Sequence, residues 1–539
     1  MTATIPPPTL AGRREWIGLC VLALACLLYA MDLTILHLAI PSISAELKPT
    51  STQLLWIVDI YGFMVAGFLI TMGTLGDRIG RRRLLLIGAA AFGIVSVIAA
   101  FSTSAEMLIA SRALLGVAGA TVAPSTLSLI FNMFTDPRQR TVAIGWWIAA
   151  FSAGGAIGPV LGGILLENFW WGSAFLVAVP VMLLLLVLGP RVLPEYRDPD
   201  AGRLDLPSAI LSLAAVLTVI FGLKEMAQNG IEALAVLSVM AGLVIGFVFV
   251  RRQLSLEDPM IDLRLFRIGT FNAALATNFL GIFIAVGYFL FVAQYLQLVL
   301  SLSPLEAGLW SLPSAAGFIV GSQVAPRILA RFRPANVVGA GLGMSAVGLA
   351  ALTQVGGSMD LAIIVGASII ISLGLSPVFI ATTELIVGSA PPERAGAASG
   401  ISETGSELGG ALGIAILGSI GTAVYRGQLA DTVPAGIPAE AVAVAEDTLG
   451  GAVAVAAQLP DQVGAALLDA ARVAFIDGMQ LTSLIAAVMA VGVALLAVTV
   501  LRSTGMPSSG AEEPQTGSEV TPPEQVAHIA PTRLEGATD

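Results

Sequence analysis

The sequence predicts an all-α polytopic membrane protein with fourteen transmembrane helices, and three observations carry that prediction. Of 539 residues, 56% are hydrophobic and only 12% charged, with a mean hydropathy of +0.89, whereas a soluble domain has about 25% charged residues. Apolar runs long enough to cross a hydrocarbon core, about 20 residues each, recur along almost the whole chain. The loops between them are alternately rich and poor in Lys and Arg: 21 of the 26 basic residues fall in one set, from Arg13 to Arg533, while Lys48, Lys224, Arg426 and Arg472 fall in the other and Arg112 sits inside a span. Cytoplasmic loops carry the basic excess, so an even number of spans places both termini in the cytoplasm. The net charge of −10 comes from acidic outer loops and an acidic tail, and it implies no nucleic-acid partner.

A short cytoplasmic stretch, 1–15, precedes span 1 at 16–40. That run is full-length, carries an acid and lacks a small-residue cleavage site, so it reads as a helix and not as a removable signal. Within it, MDLTILHLAIP places Asp32 about eight residues, roughly 12 Å, from the outer end. Cys20 and Cys26 share this span and cannot form a disulfide framework; they read as packing residues, and His37 as a polar residue at the outer end. Span 2, at 54–75, carries Asp59 about five residues, roughly 8 Å, from its outer end, with Trp56 and Tyr61 beside it. The loop GTLGDRIGRRR (73–83) follows. Gly73, Gly76 and Gly80 permit close backbone approach, and Asp77 can cap the next helix or pair with a neighbouring arginine, Arg78 and Arg81 being part of the same string.

Spans 3 and 4 lie at 84–101 and 107–131. Arg112, in span 4, is about five or six residues, roughly 8 to 9 Å, from the outer end, close to the depth of Asp32. Lipid exposure of either charge would cost about 2.5 kcal/mol or more, so both are expected to face the bundle interior, where they can pair. Two readings stand: a buried ion pair that holds two helices together, or a proton carrier whose surroundings change as the helices move. Span 5, at 141–165, contains GGAIGPVLGG. Gly154, Gly158 and Gly162 share one helical face, with Pro159 and Gly163 beside them; small residues at this spacing allow tight helix packing, and the proline frees a backbone bond that a neighbour must satisfy. Span 6 lies at 173–190.

Stretches of mixed charge at 191–207 and 251–267 bracket spans 7 (206–223) and 8 (231–250). They divide the chain into a six-span bundle at 16–190, an inserted pair with its linkers at 191–269, and a second six-span bundle at 270–501. A weak repeat supports the division: GSQVAPRILARFR (321–333) follows span 2 of the second bundle as GTLGDRIGRRR follows span 2 of the first. Such repeats place a substrate site near the bilayer midplane and move by rocking of one half against the other.

Spans 9 to 14 lie near 270–298, 305–326, 335–354, 361–388, 398–424 and 478–501. Span 12 carries Glu384 near its inner end, read as a side chain that snorkels to water. On span 13, ISETGSELGG puts Glu403 and Glu407 on one helical face. Carboxylates beside aromatic rings suit a quaternary ammonium group; the alternatives are an interfacial acid for Asp59 and a solvated vestibule face for the glutamate pair. The outer segment 425–477 is too long for a plain connector and reads as a surface hairpin of strands or helices, or as a spacer. The tail, 502–539, which includes His528, has few large apolar residues and is expected to be disordered.

The G-x-x-x-D-R-x-G-R-R form of the loop at 73–83 resembles the signature of the major facilitator superfamily. GGAIGPVLGG resembles the antiporter motif of that superfamily's drug exporters. The D-x-T-x-x-x-x-A-x-P string of Asp32 to Pro41, and the R-x-x-x-G of Arg112 and Gly116, resemble the fourteen-span drug:proton antiporters. LLWIVDIYGFMVAGFL (54–69), SRALLGVAGATVAPSTLSLI (111–130) and LLENFWWGSAFLVAVPV (165–181) look like the QacA-type multidrug exporters, and the likeness runs from 13 to about 502.

The resemblance implies a major facilitator fold of 6 + 2 + 6 spans, monomeric and multi-pass in the plasma membrane. It implies export of lipophilic, quaternary ammonium or dye-like cations in exchange for protons, driven by the proton gradient with no cofactor. Asp32 and Arg112 would couple protons; Asp59, Trp56, Tyr61, Glu403 and Glu407 would bind substrate; Gly73, Asp77, Arg78, Gly80, Arg81, Gly154, Gly158, Pro159, Gly162 and Gly163 would form the conformational motifs. Phe318 stands in span 10 where some QacA-type members carry an acid, so the implication stops short of divalent organic cations. The alternative is an exporter of an endogenous metabolite or lipid on the same fold. The only lysines, Lys48 and Lys224, each follow Leu, so the chain has no G-K-[ST] phosphate loop and no built-in ATP drive. Two distant histidines and two cysteines on one helix offer neither a metal site nor an enzyme's nucleophile cluster.

Overall fold

The structure, a computed structural model, describes residues 10–49, 51–197, 205–229, 232–256, 259–357, 359–391, 394–434 and 436–501. Arg203 and the tail at 502–539, His528 included, lie outside the described residues, within which all regular structure is helical. The first group is α1 (Arg13–Leu47), α2 (Ser51–Ile79), α3 (Arg81–Ala100), α4 (Ala105–Gly119), α5 (Val122–Met133), α6 (Pro137–Asn168), α7 (Ser173–Leu176) and α8 (Ala178–Val192). A pair follows, α9 (Leu206–Asn229) and α10 (Ala233–Ser255). The last group is α11 (Gly269–Gln294), α12 (Pro304–Leu329), α13 (Pro334–Ala351), α14 (Asp360–Gly388), α15 (Ala395–Thr432), α16 (Ala439–Asp447), α17 (Leu449–Ala456) and α18 (Asp461–Val500).

Among the described residues, 13 helices are long and apolar enough to cross a membrane. The tenth predicted span forms the 26-residue helix α12 but is not one of them, because Ser, Gly, Pro and Gln dilute its apolar run. Local chemistry sets the helix starts. The Ser104 hydroxyl accepts the Met107 N–H at 3.2 Å, and the Asp136 carboxylate accepts the Gln139 N–H at 2.9 Å with Pro137 in the first helical position. Ser303 and Glu306 form a capping box ahead of α12, satisfying donors that the first turn leaves open.

Two spans expected to be continuous are broken, and proline explains both. Pro124 has no N–H for the Ala120 carbonyl four residues back, and the chain turns at Ala120–Thr121 between α4 and α5. Pro180 stands in the same relation to Leu176, where α7 ends.

α9 and α10 pack on each other, and α9 also touches α2 and α15, so it reaches both groups of helices. At the start of α9, Arg252 donates to both Asp205 oxygens at 2.8 and 3.0 Å. These bonds and that of Ser208 pull the Asp205 carboxyl down to about 2. The linker after α10 is not the solvated stretch that its charges suggest. Met260, Ile261 and Leu265 are buried against Ile70, Phe271, Ile386 and Ile401, and the Thr74 hydroxyl reaches the Met260 carbonyl at 3.2 Å.

The segment predicted to lie outside, 425–477, is also shorter than predicted, since α15 runs on to Thr432 and α18 begins at Asp461. The extensions are held by buried Leu429, Leu467 and Ala471, and the hairpin of α16 and α17 packs on them through Leu449 and Ala452. The Tyr425 hydroxyl donates to the Ala445 carbonyl at 2.7 Å, and Arg426 pairs with Asp447. A strand hairpin is excluded over these residues, which the structure shows as helix.

Candidate functional site

Asp32 and Arg112 meet across α1 and α4: Arg112 Nη1 donates to Asp32 Oδ2 at 2.8 Å, and the two side chains are only 7% and 2% exposed. Arg112 Nε donates to the Ile57 carbonyl at 3.2 Å, and its guanidinium lies 4.6 Å from the Tyr61 ring centroid. The arginine is therefore oriented by α2 as well as by the acid. Glycines bring these helices close enough. A Cβ on Gly116 would lie 2.5 Å from the Tyr61 carbonyl, while a Cβ on Gly154 or Gly158 would run into the Leu27 carbonyl or the Thr34 hydroxyl. Gly154 and Gly158 thus seat α6 against α1 on both sides of Asp32. Gly162 is buried on the same helix and Pro159 lies between them in sequence, whereas an added Cβ at Gly163 would meet nothing within 4 Å.

A run of ring contacts leads from this pair towards a cavity between the helices of the bundle. Tyr61 and Tyr29 have centroids 6.2 Å apart, Tyr29 and Phe151 5.6 Å, and Phe151 and Trp147 4.7 Å. Trp147 and Phe151 open onto a cavity of about 370 Å³. α6 contributes Trp147, Ile148, Phe151 and Ser152; α11 contributes Asn278 and Ile282, α12 Phe318, α14 Phe379 and Thr383, and α15 Glu403 and Ser406. Asn278 is satisfied within the wall: it donates to Ser406 at 2.9 Å and accepts from Thr382 at 3.2 Å. Among the described residues, no donor or cation lies within bonding distance of the Glu403 carboxylate. The cavity thus sets a carboxyl group without a bonded partner among the described residues beside Trp147, Phe151, Phe318 and Phe379, chemistry that can hold a cation with apolar substituents.

The other predicted binding residues fall elsewhere. Glu407 does not line the cavity; it sits one turn further along α15. Tyr61 is fully buried beneath Arg112. Asp59 pairs with Lys224 of α9 at 2.5 Å, with the Lys224 nitrogen 4.7 Å from the Phe63 ring centroid. Trp56 is 39% exposed and stands against Phe63. Of the cavity aromatics, the sequence marks only Phe318. Trp147 and Phe151, four apart on one face just ahead of GGAIGPVLGG, offered the one sequence signal that could have found them.

At the end of the bundle that carries the arginine-rich loop, the two groups of helices close on each other. Asp77 accepts Arg81 Nε at 2.8 Å, and it also accepts the Gly396 and Ala397 N–H groups at 3.2 and 2.9 Å. Those N–H groups belong to the first turn of α15, where unsatisfied donors and the helix dipole favour an anion. Arg78 lies in the last turn of α2. Gly80 has φ +108°, a conformation that suits glycine. Further along this face the Thr141 hydroxyl donates to Glu384 at 2.8 Å, and Arg140 stands 3.9 Å from the same carboxylate. The expectation that Glu384 snorkels to water is therefore corrected: partners on α6 draw it across the seam between the two groups.

Gly73 is a point of close approach in this closure, because a Cβ there would collide with the Gly396 carbonyl. Gly73→Val is expected to wedge the seam open at a cost of about 1–3 kcal/mol, as overpacking generally costs. In that background a cysteine at Ala397 should react with a maleimide about tenfold or more faster, since 1.4 kcal/mol is a factor of ten. An unchanged labelling rate would mean that the seam does not depend on Gly73.

Comparison with known proteins gives one consistent answer. Residues 22–414 match the Major Facilitator Superfamily. The multidrug efflux pump LfrA of Mycolicibacterium smegmatis is 45% identical over 489 residues, covering 91% of this chain and 97% of that protein. The methyl viologen resistance protein SmvA of Salmonella typhimurium is 37% identical, covering 86% and 93%. The tetracenomycin C resistance and export protein of Streptomyces glaucescens is 32% identical, covering 92% and 93%. Among solved structures, a bacterial homolog of the human lysosomal transporter Spinster aligns with TM-score 0.56 at 18% identity, covering 91% of this chain and 98% of the other. At that identity the likeness concerns the fold alone.

Proposed function

Because the chain belongs to the Major Facilitator Superfamily and is a multi-pass cell-membrane transporter, not an enzyme, we propose that it is a QacA-type drug:proton antiporter that exports lipophilic monocations. Drug efflux is the activity named for LfrA, and resistance or export for the other relatives. The observation that carries the finer reading is the unpaired Glu403 carboxylate facing four aromatic rings. Such a site binds a bulky cation by charge and by ring faces together.

In this reading α12 is the fourteenth membrane helix, giving bundles at 16–190 and 270–501 with an inserted pair at 191–269. The positive-inside rule makes the arginine-rich end cytoplasmic. The state described is then closed to the cytoplasm, with Asp77, Gly73 and the Glu384 contacts forming the seam. Asp32 carries the proton: rocking that separates α1 from α4 breaks its contact with Arg112 and opens the acid to proton exchange. The cycle exchanges one kind of cation for another, and it uses the proton gradient in place of a cofactor.

The test is transport of ethidium by the purified protein in liposomes. An imposed pH gradient should drive ethidium against its own gradient, and adding a quaternary ammonium compound should move protons across the membrane. Full transport driven by a membrane potential with no pH gradient would contradict proton antiport.

A further inference from the structure

Lys224 is one of only two lysines in the chain, and it stands near the end of an apolar helix that touches both helix groups. Its ammonium lies 2.5 Å from Asp59 and 4.7 Å from the Phe63 ring centroid, and Trp56 continues the aromatic wall with its centroid 6.1 Å from that of Phe63. A carboxylate flanked by ring faces is the arrangement that recognises an organic ammonium, so Lys224 occupies the place that such a ligand would take. The pair is not sealed, since the Lys224 and Asp59 side chains are 33% and 24% exposed. Partly exposed ion pairs contribute little to stability, so packing alone is a weak reason to keep an ammonium within a span. The helices that carry the cradle, α2 and α9, both pack on α15, which carries Glu403 and Glu407. Lys224 acts electrostatically on Glu407, and Glu407 on Glu403, so the three acids form a succession from the cavity to the end opposite the basic loop.

We propose that Asp59 and Phe63 form a second cation site, which the chain's own Lys224 occupies as a tethered stand-in and which an exported organic monocation enters by exchanging with that ammonium. This rests on the reading of the cavity as a cation site. A tethered competitor has a high effective concentration, so the cradle is closed to a free cation until one is delivered from the cavity. Once there, the cation is expelled as Lys224 returns, and the exit step does not depend on weak intrinsic affinity.

The experiment is equilibrium binding of tetraphenylphosphonium, a permanent monocation, to the full chain in nanodiscs. The wild type is expected to show one saturable class that Glu403→Gln removes. Lys224→Met should add a second class that the further change Asp59→Asn abolishes, while Lys224→Arg, which keeps the charge, should add none. If Glu403-dependent binding is present and Lys224→Met gains nothing, the stand-in role is overturned and the cavity reading stands. If Glu403-dependent binding is absent but the Asp59-dependent class appears, the cavity reading fails and the second site stands. The native protein gives an independent measure should the methionine variant fold poorly. Acetylation of Lys224, normalised to Lys48, should rise in saturating tetraphenylphosphonium as the amine is displaced; an unchanged ratio overturns the exchange.

Discussion

Asp32→Asn is expected to leave a folded protein whose proton-driven drug efflux falls to background. The amide keeps the size of the carboxylate and can still accept from Arg112 Nη1, and the arginine retains the Ile57 carbonyl and the Tyr61 ring as partners. What is lost is the group that can alternate between charged and neutral. Arg112→Ala should fail for a different reason: it strands a carboxylate 7% exposed between α1 and α4. Breaking a buried pair in this way typically costs about 3–5 kcal/mol. The two variants therefore separate on thermal unfolding, where Asp32→Asn should stay near the wild type and Arg112→Ala should drop. Asp32→Asn, Arg112→Ala together should recover much of the lost stability without recovering transport. Efflux by Asp32→Asn at the wild-type rate under a pH gradient would move proton coupling to another acid. Equal destabilisation by both single changes would make the pair a structural clamp and nothing more.

The parts of this site that could be read in advance share one property. Each is a feature of a single helix or loop, fixed by period, spacing and the cost of burying charge. The depths of Asp32 and Arg112, the shared face of Gly154, Gly158 and Gly162, and the turn that needs Gly80 are of this kind. The breaks at Ala120 and Val177 were also legible in principle, since Pro124 and Pro180 each leave a carbonyl without its donor. What was not legible depends on where separate helices lie relative to one another. Lys224 and Asp59 are 165 residues apart, and Thr141 and Glu384 are 243 apart. No local spacing signals such pairs, and a charge near the end of an apolar run reads equally well as one that reaches for water. The cavity aromatics are a sharper case. Phe318 and Phe379 are ordinary apolar residues on their own helices, and they become a wall only because α12 and α14 bring their centroids within 6.2 Å.

Glu403→Gln should weaken binding of a monovalent cation by about a hundredfold, and Glu407→Gln by much less. Glu403 lines the cavity and, among the described residues, no cation stands within bonding distance of it, so a bound ammonium would be its first partner. At about 5 Å and an effective dielectric of about 20, that attraction is about 3 kcal/mol, roughly a hundredfold in Kd. Glu407 stands outside the cavity and already feels Lys224, so its charge bears on passage along the path more than on the depth of the first site. Transport separates the two residues in the opposite sense: Glu407→Gln should lower turnover at saturating substrate while its Kd stays near that of the wild type. The double substitution should nearly eliminate cation transport, and binding of a neutral dye of similar shape to the same rings should survive. Titrating one permanent monocation into all four proteins between pH 5.5 and 8.5 decides the matter, because its charge does not change with pH. Any pH dependence of its Kd then belongs to the protein, through protons that compete for these two carboxylates. A dependence that persists unchanged in the double variant would remove both glutamates from the binding step and leave Asp32 and Asp59 as the acids that meet the substrate.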